Sequence, residues 1–425
     1  MKKKVLSLFL AVTMCLGFTN IGAASSSTVN LTKQIKVINI KGRKMKKKEA
    51  KKITSASVKL LNETMKNDEE GANVLISPTS VMYAFGLLEN GAKGKTRKQI
   101  EKNIFGGIKT SDTNKILKKQ MDDMEDDKFV TWNIANSVWV SNRKDVKVKK
   151  NYLKKTISYF DADVFKTPFD DDCVKDMNKW VKKNTNNMIP KIVDELDEDT
   201  VSALINAICF EGTWADKFSD YSIEEDQDFT NYDGSISKVT QMSGEVGGYF
   251  KLNGAYGFEK YYTGGKYAFV GIKMPEGTST SDYIEKLVQN PAKFNKALNN
   301  IKTDKKVNIT MPEFSLDYNA ELNAPIKKLG VTRAFSKRKA NLYNMFKKDG
   351  DTNYFINKVI HKTHIEVDKN GTKAAAVTAI MIEKNMAVLD ERETLQITLD
   401  NPFVYAIVDT KKGIPVFMGC VNKLD

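Results

Sequence analysis

The segment 202–214 (SALINAICFEGTW) limits the fold of this chain more than any other part of the sequence. It is a long run of mostly apolar residues, with Gly212 near its end. A continuous apolar run of this length is typical of a strand that is buried in the middle of a sheet. The sequence therefore predicts a sheet in which this segment is a central strand.

The other strand and helix patterns are distributed unevenly along the chain. Apolar residues at helical spacing predict a first helix that starts near Lys48, and segment 81–88 predicts a buried helix that ends at Gly91. Further strand patterns occupy segments 130–140, 267–274, 307–314, 356–367, 403–408 and 416–421. Because helices concentrate before Ile192 and strands after it, we predict an α+β fold rather than alternating βαβ units.

The composition is that of a soluble globular protein with a large core. Of the 425 residues, 41% are hydrophobic and 28% are charged, which is ordinary for such proteins. The chain has 9 prolines and 25 glycines, too few for long disordered linkers. Since no linker divides the chain, we predict one domain over residues 48–425.

The first 24 residues have the layout of a secretory signal peptide. Three lysines, Lys2 to Lys4, precede an uncharged stretch at 5–18, and the small residues Gly22, Ala23 and Ala24 follow. Cleavage after Ala24 is the expected processing step. We therefore predict that the mature protein is secreted and acts outside the cell.

A basic segment follows the predicted signal peptide. We predict that residues 25–47 are flexible, and lysine and arginine are dense over residues 33–52. This density suggests a patch that binds polyanions or the cell envelope. The alternative, which we favour, is a solvated tail that leads into the first helix, because runs of charge are commonly solvated.

Few residues are available for catalysis or for metal binding. Outside the predicted signal peptide the cysteines are Cys173, Cys209 and Cys420, whose spacing gives neither a disulfide framework nor a zinc site. The two histidines, His361 and His364, would lie on opposite faces of a strand and cannot form a metal pair there. Because phosphate-binding glycine motifs are also absent, we expect no enzyme, no metal, no cofactor and no nucleic-acid partner.

Several motifs occur along the chain in a characteristic order. Segment 73–100 has Ser77, Pro78 and Ser80 at the start of an apolar helix, and segment 204–218 contains Asn206 within the central strand pattern. The remaining motifs are Asn178-Lys179-Trp180-Val181, Pro312-Glu313-Phe314, His361-Lys362, Gly371-Thr372, Ala374-Ala375-Ala376, Pro402-Phe403 and Phe417-Met418-Gly419. Together they resemble the serpin family of protease inhibitors, from about Lys48 to Asp425.

The resemblance implies a fold, a function and a partner. The fold would be one domain of three β-sheets and eight or nine helices, with an exposed reactive centre loop at about residues 369–395. The function would be suicide inhibition of serine endopeptidases, with cysteine endopeptidases as an alternative class. In this mechanism the protease cleaves the loop and forms an acyl-enzyme, and the loop then inserts into the main sheet and traps the complex. The inhibitor would act as a monomer.

The resemblance also assigns roles within the loop. The hinge would be formed by Gly371, Thr372, Lys373, Ala374, Ala375, Ala376, Val377 and Thr378. Read as a strand, residues 372–383 carry their even-numbered residues on one face and both of their charges, Lys373 and Glu383, on the other, so that the even-numbered face could enter a core. An ordinary amphipathic strand, or a helix started by the alanines, is the alternative.

The same resemblance places the cleaved bond between Asn385 and Met386. Cleavage after Lys384 is the alternative and would suit a trypsin-like protease, whereas cleavage after Met386 would suit an elastase- or chymotrypsin-like one. Subtilisin-like enzymes are a further target class.

A polar cluster beneath the main sheet completes the predicted site. Ser77, Ser80, Asn206 and His361 match the shutter positions of the family, where side-chain hydrogen bonds control the opening of the sheet. Two residues depart from the family pattern, because Lys369 and Lys373 stand where acidic residues are usual. A non-inhibitory serpin that serves in binding, as a chaperone or in surface adhesion is the alternative function.

Overall fold

The computed structural model describes residues 28–196, 200–349, 353–372 and 392–425. The predicted signal peptide at 1–24 lies outside these ranges. So do the hinge residues 373–378, Lys384 and the predicted reactive bond between Asn385 and Met386.

The described residues form nine α-helices and seventeen strands. The helices are α1 (Lys47–Met65), α2 (Pro78–Gly91), α3 (Gly94–Asn103), α4 (Thr110–Glu125), α5 (Lys150–Phe160), α6 (Asp171–Asn184), α7 (Thr280–Gln289), α8 (Ala292–Leu298) and α9 (Asn323–Lys328). The strands form three sheets, and this arrangement confirms the predicted α+β architecture.

Among the described residues, the main sheet has seven strands. In spatial order they are β1 (Val29–Asn30), β4 (Asp163–Thr167), β3 (Val130–Ser141), β5 (Ser202–Thr213), β14 (Gly371–Thr372), β13 (Lys358–Asp368) and β12 (Phe314–Glu321). The predicted central strand is β5, which is buried along nearly its whole length. It runs antiparallel to β3 and parallel to β13.

The other two sheets have six and four strands. The second sheet contains β2 (Val74–Ile76), β17 (Ile414–Val421), β16 (Phe403–Asp409), β10 (Tyr267–Lys273), β9 (Ala255–Tyr261) and β8 (Tyr249–Leu252). The third contains β15 (Thr394–Thr398), β11 (Lys306–Pro312), β7 (Ile236–Val246) and β6 (Ile223–Thr230). β15 follows the predicted loop directly in sequence.

Helix α2 packs between the main and second sheets. All fourteen of its residues are buried, as expected for a helix that is apolar on every side. Its first turn is well defined, because Pro78 occupies the first helical position and the Ser77 hydroxyl accepts the Ser80 backbone N–H at 3.1 Å. The start of α2 is therefore fixed beneath β5.

Helix α6 covers the opposite face of the main sheet. Its buried residues Cys173, Met177 and Val181 form a cluster with Cys209 of β5 and Ile360 of β13. Among the described residues, Cys173, Cys209 and Cys420 are buried thiols outside any disulfide. Since α2 and α6 cover opposite faces, β5 is buried on both sides, which explains its continuous apolar sequence.

Part of the segment predicted to be a flexible tail makes defined contacts. Val29 and Asn30 pair with β4 as an edge strand, and the Leu31 backbone N–H donates to the Val164 carbonyl at 2.7 Å. The Arg43 guanidinium contacts the carboxylates of Glu49 and Asp112 at 2.7 and 2.9 Å. A freely solvated tail would make none of these contacts, and the free edge of β4 and the two carboxylates account for them.

In the described part of the chain, no helix is both long enough and apolar enough to cross a membrane.

A buried carboxyl group on α2 makes stability depend on pH. Glu89 is fully buried, the Thr110 hydroxyl donates to it at 3.0 Å, and burial raises its pKa to about 8 from an ordinary 4.5. The folded protein therefore keeps this proton while the unfolded chain releases it. The contribution of Glu89 to the free energy of unfolding thus falls as pH rises from about 4.5 to about 8, by up to about 1.4 kcal/mol per unit.

We expect Glu89→Gln to remove this contribution, because the amide has the same shape and no charge to desolvate. Thermal unfolding should show that the variant gains Tm relative to the parent as pH rises from about 5 to about 8. Glu69→Gln, which changes an exposed carboxyl, is the control. An equal shift in both variants, or no change with pH, would contradict the assignment.

Candidate functional site

The described start of the hinge, β14, lies between β5 and β13. Gly371 and Thr372 pair with Thr213 and Gly212 of β5, and they also pair with Asp368 and Val367 of β13. Both pairings are antiparallel. Residues 203–208 of β5 pair directly with residues 358–363 of β13.

A tight turn at residues 368–371 directs the chain between β5 and β13. The Asp368 carboxylate accepts the backbone N–H groups of Asn370 and Gly371 at 2.7 and 2.9 Å. A Cβ atom on Gly371 would lie 2.1 Å from the Gly212 carbonyl oxygen, which no side chain could tolerate. Glycine at this position therefore allows the hinge to enter between the two strands.

The Thr372 side chain lies against aromatic residues beneath β14. It is 1% exposed, and its hydroxyl lies 2.5 Å from the Tyr262 hydroxyl. Tyr262 stacks on Trp214 at 4.6 Å, and the Trp214 indole N–H donates to the Asp368 carbonyl at 2.9 Å. Thr372 therefore faces the core, as the alternation predicted for the even-numbered hinge residues requires.

Lys369, a lysine where the family usually has an acidic residue, has acidic neighbours. Its ammonium group pairs with Asp220 at 2.7 Å, and its backbone N–H donates to the Glu313 carboxylate at 3.2 Å. Both partners are acidic, so a lysine fits here without an unpaired charge. Sequence reasoning flagged Lys369 as a departure but missed Asp220, which is distant in sequence.

The four predicted shutter residues come from α2, β5 and β13. The Ser77 backbone N–H donates to Nε2 of His361 at 3.1 Å, and the Ser77 hydroxyl donates to the Val416 carbonyl at 2.8 Å. Ser80 contacts Ser77 through its backbone. Asn206 and His361 are direct partners in the β5–β13 pairing.

A fifth polar residue, Asn136 of β3, extends this row. It pairs with Asn206 in the sheet register, and the Asn206 side-chain amide donates to the Asn136 carbonyl oxygen. Asn136, Asn206 and His361 thus lie side by side across three neighbouring strands. The strand pattern at 130–140 predicted the element, but only the register of the sheet reveals this contact.

Burial keeps His361 neutral. The side chain is 1% exposed, and desolvation lowers its pKa to about 3. Since its Nε2 accepts a hydrogen bond, the proton of the neutral ring lies on Nδ1. His364 instead contacts Asp317 at 3.0 Å through its Nδ1 and belongs to the opposite face of β13.

The polar row is incomplete in this conformation. Nδ1 of His361, Oδ1 of Asn206 and Oγ of Ser80 are buried and have no hydrogen-bond partner among the described residues. Each such group carries a desolvation cost, typically ~1–3 kcal/mol. Donor and acceptor atoms at the boundary between β5 and β13 are therefore available for additional hydrogen bonds.

We expect Asn136→Ala to destabilise the protein by about 1–3 kcal/mol, because the Asn206 amide loses its acceptor in a buried position. The measurement is the free energy of unfolding or, if unfolding is irreversible, the Tm at a fixed scan rate. Asn142→Ala, at an exposed position after β3, is the control and should have little effect. Equal stability of both variants would show that Asn136 is not part of the network.

Comparison with known proteins agrees with this architecture. The family model described as "Serpin (serine protease inhibitor)" matches residues 51–424. Mouse (Mus musculus) neuroserpin is 31% identical over 394 residues, which cover 87% of this chain and 90% of that protein.

Solved structures show the same fold. The native-state crystal structure of tengpin, a thermophilic serpin, has a TM-score of 0.85 and 33% identity, and the match covers 93% of this chain and all of tengpin. Thyroxine-binding globulin in complex with thyroxine has a TM-score of 0.75 at 18% identity, over 88% of this chain and 99% of that protein. At that identity, the second match concerns the fold alone.

Proposed function

The chain belongs to the serpin family, whose members are generally protease inhibitors rather than enzymes, and on this premise we propose that it is itself a suicide inhibitor of serine proteases. A protease would cleave the loop, form an acyl-enzyme and be trapped as the loop inserts into the main sheet. The observation that carries the proposal is the position of Gly371 and Thr372, which pair antiparallel with both β5 and β13.

Extending this register supports insertion of the rest of the hinge. Thr372 pairs with Gly212 and Val367, so each later residue would pair one step further back along both strands. Six steps on, Thr378 would face Asn206 and His361, which are partners of each other now. Its hydroxyl would then lie beside the buried Oδ1 and Nδ1 atoms that have no partner in the present conformation.

The same register gives Lys373 a suitable environment. It would lie between Glu211 of β5 and Glu366 of β13, on the face opposite to Thr372. Neither glutamate forms a salt bridge with another described residue, and Glu366 is exposed. The reversed charge would therefore form ion pairs in the inserted strand, so this departure does not weigh against inhibition.

Insertion would also be favourable in backbone energy. It would replace a parallel contact between β5 and β13 by two antiparallel contacts, a slightly more stable arrangement. About ten new backbone hydrogen bonds at ~1 kcal/mol net each would accompany burial of Ile380 and Ile382. Energy on this scale is comparable with the stability of a whole domain.

Trapping of a protease is the direct test of the proposal. We expect incubation with elastase-, chymotrypsin-, trypsin- or subtilisin-like enzymes to yield a covalent complex that survives denaturing electrophoresis. Intact mass should reveal a released C-terminal peptide that starts at Met386, or at Asn385 if cleavage follows Lys384. If every protease cleaves the loop and stays active, the inhibitor proposal fails for those classes, and the non-inhibitory alternative gains support.

A charge on the inserting face should separate cleavage from trapping. We expect Ala374→Lys to be cleaved normally but to trap at least tenfold less protease, because its ammonium would enter the core beside Phe210 and Ile365 at a cost of several kcal/mol. Lys373→Arg, one residue earlier on the opposite face, is the matched control and should trap normally. Measuring the moles of inhibitor consumed per mole of inactivated protease distinguishes the two variants. Equal trapping by both would contradict the insertion register.

The cellular setting is part of the proposal. The lysines and apolar stretch of residues 1–18 support export, and we propose that the mature inhibitor acts outside the cell as a monomer. Binding of polyanions or the cell envelope through residues 33–52 stays a prediction.

A further inference from the structure

An asparagine–glycine pair lies at the turn that leads into β14. Asn370 directly precedes Gly371, and the Asn370 side chain is partly exposed to solvent. In such a pair the backbone nitrogen of the glycine can attack the side-chain amide of the asparagine, because glycine has no Cβ atom to hinder the approach. The reaction is intramolecular, so its rate depends on how the surrounding structure holds the two groups.

The Asp368 carboxylate contacts the nucleophile of this reaction. Its Oδ1 atom accepts the Gly371 backbone N–H at 2.9 Å and the Asn370 backbone N–H at 2.7 Å. A general base must lie within such a distance of the group whose proton it removes. Asp368 is thus positioned to take the proton that the Gly371 nitrogen loses when it attacks.

A positive charge lies beside the amide that would be attacked. The Lys217 ammonium group is 3.5 Å from the side-chain oxygen of Asn370. Negative charge develops on this oxygen during the attack, and a fixed positive charge nearby stabilises it. A base, a nucleophile, an amide and a cation are therefore brought together at one turn.

The sequence contains two other asparagine–glycine pairs, and they lack this arrangement. Asn90 is buried within α2, where its side-chain amide donates to the Gly86 carbonyl and to the Asn114 side chain. Asn253 and Gly254 form the turn between β8 and β9, and no carboxylate among the described residues accepts the Gly254 N–H. The pair at the hinge is therefore the one that the described structure equips with a base.

From this geometry we infer that Asn370 and Gly371 form a self-modification site, at which Asn370 is converted to a succinimide and then to isoaspartate or aspartate. The Gly371 nitrogen forms a bond to Cγ of Asn370 and passes its proton to Asp368. The bond between Cγ and Nδ2 then breaks, and Nδ2 leaves as ammonia after it takes up that proton. Water is the second reactant and opens the ring. Attack at Cγ gives aspartate, and attack at the main-chain carbonyl carbon gives isoaspartate.

Isoaspartate would change the path of the hinge. It adds one carbon atom to the main chain before Gly371 and turns the carbonyl that accepts the Trp214 N–H into a free carboxylate. Gly371 has no room to shift, since a Cβ atom there would lie 2.1 Å from the Gly212 carbonyl oxygen. The modification would therefore limit the lifetime of a hinge that can insert. This consequence rests on the proposed inhibitory function, whereas the modification itself does not.

The test follows the folded full chain during incubation at neutral pH. Trypsin cleaves after lysine and therefore releases residues 370–373, which contain Asn370, and residues 252–260, which contain Asn253. Digestion at mildly acidic pH limits further reaction, and liquid chromatography with mass spectrometry separates the amide, succinimide, aspartate and isoaspartate forms. Because this measurement needs no protease to be trapped, it can succeed or fail independently of the inhibitor proposal.

The variant is Asp368→Asn, which keeps a hydrogen-bond acceptor beside Gly371 but removes the base. The matched control is Asp220→Asn, which changes an exposed carboxyl that pairs with Lys369. Asn253 serves as a second control within each molecule.

We expect Asn370 to be converted faster than Asn253 in the parent. Asp368→Asn should slow the conversion of Asn370 by about tenfold or more, because a general base typically contributes at least that much. Asp220→Asn should change it by less than about twofold. In denaturant the two asparagines of the parent should react at similar rates, a comparison that holds even if the Asp368→Asn variant fails to fold.

Three results would each overturn the inference. They are an Asn370 that stays intact in the folded parent, an Asn370 that reacts no faster than Asn253, and a conversion of Asn370 that keeps its rate or accelerates in folded Asp368→Asn.

Discussion

The parallel contact between β5 and β13 is the constraint on which the rest of the structure depends. Each strand has an antiparallel neighbour on its other side, β3 and β12 respectively, so among these four strands β5 and β13 are the neighbours that run in the same direction. A strand that runs antiparallel to both could enter there without reversing any existing strand. The two residues of β14 already occupy the end of this boundary, with a glycine where no side chain would fit.

The polar side chains at this boundary have opposing effects on stability. The hydrogen bond from Ser77 to His361 ties α2 to β13, and Asn206 is tied to β3 through Asn136. Both interactions hold the sheet in its present arrangement. Two buried atoms without a described hydrogen-bond partner, Nδ1 of His361 and Oδ1 of Asn206, however, reduce the stability of that arrangement.

Much of this architecture could be predicted from the sequence. The apolar run at 202–214 predicted the central strand because a strand covered on both faces cannot alternate polar and apolar residues, and Ser77-Pro78 predicted the start of α2 because these residues suit the first turn of a helix. Contacts that depend on register could not be predicted. Asn136 meets Asn206, and Asp220 meets Lys369, only after distant strands have paired. The pairing of Val29 and Asn30 with β4 was also missed, because charge density indicates solvation but does not reveal a free strand edge such as that of β4.

Helix α6 gives this boundary a built-in chemical reporter. Cys173 on α6 and Cys209 on β5 belong to one buried cluster between α6 and the main sheet, and both are fully shielded from solvent. Burial raises the pKa of the Cys173 thiol to about 11, which keeps it in the unreactive protonated form at neutral pH. A strand entering between β5 and β13 would separate Cys209 of β5 from Ile360 of β13, two members of this cluster. The rate at which these two native thiols react with an alkylating reagent therefore measures movement of the sheet, and the measurement requires no added label.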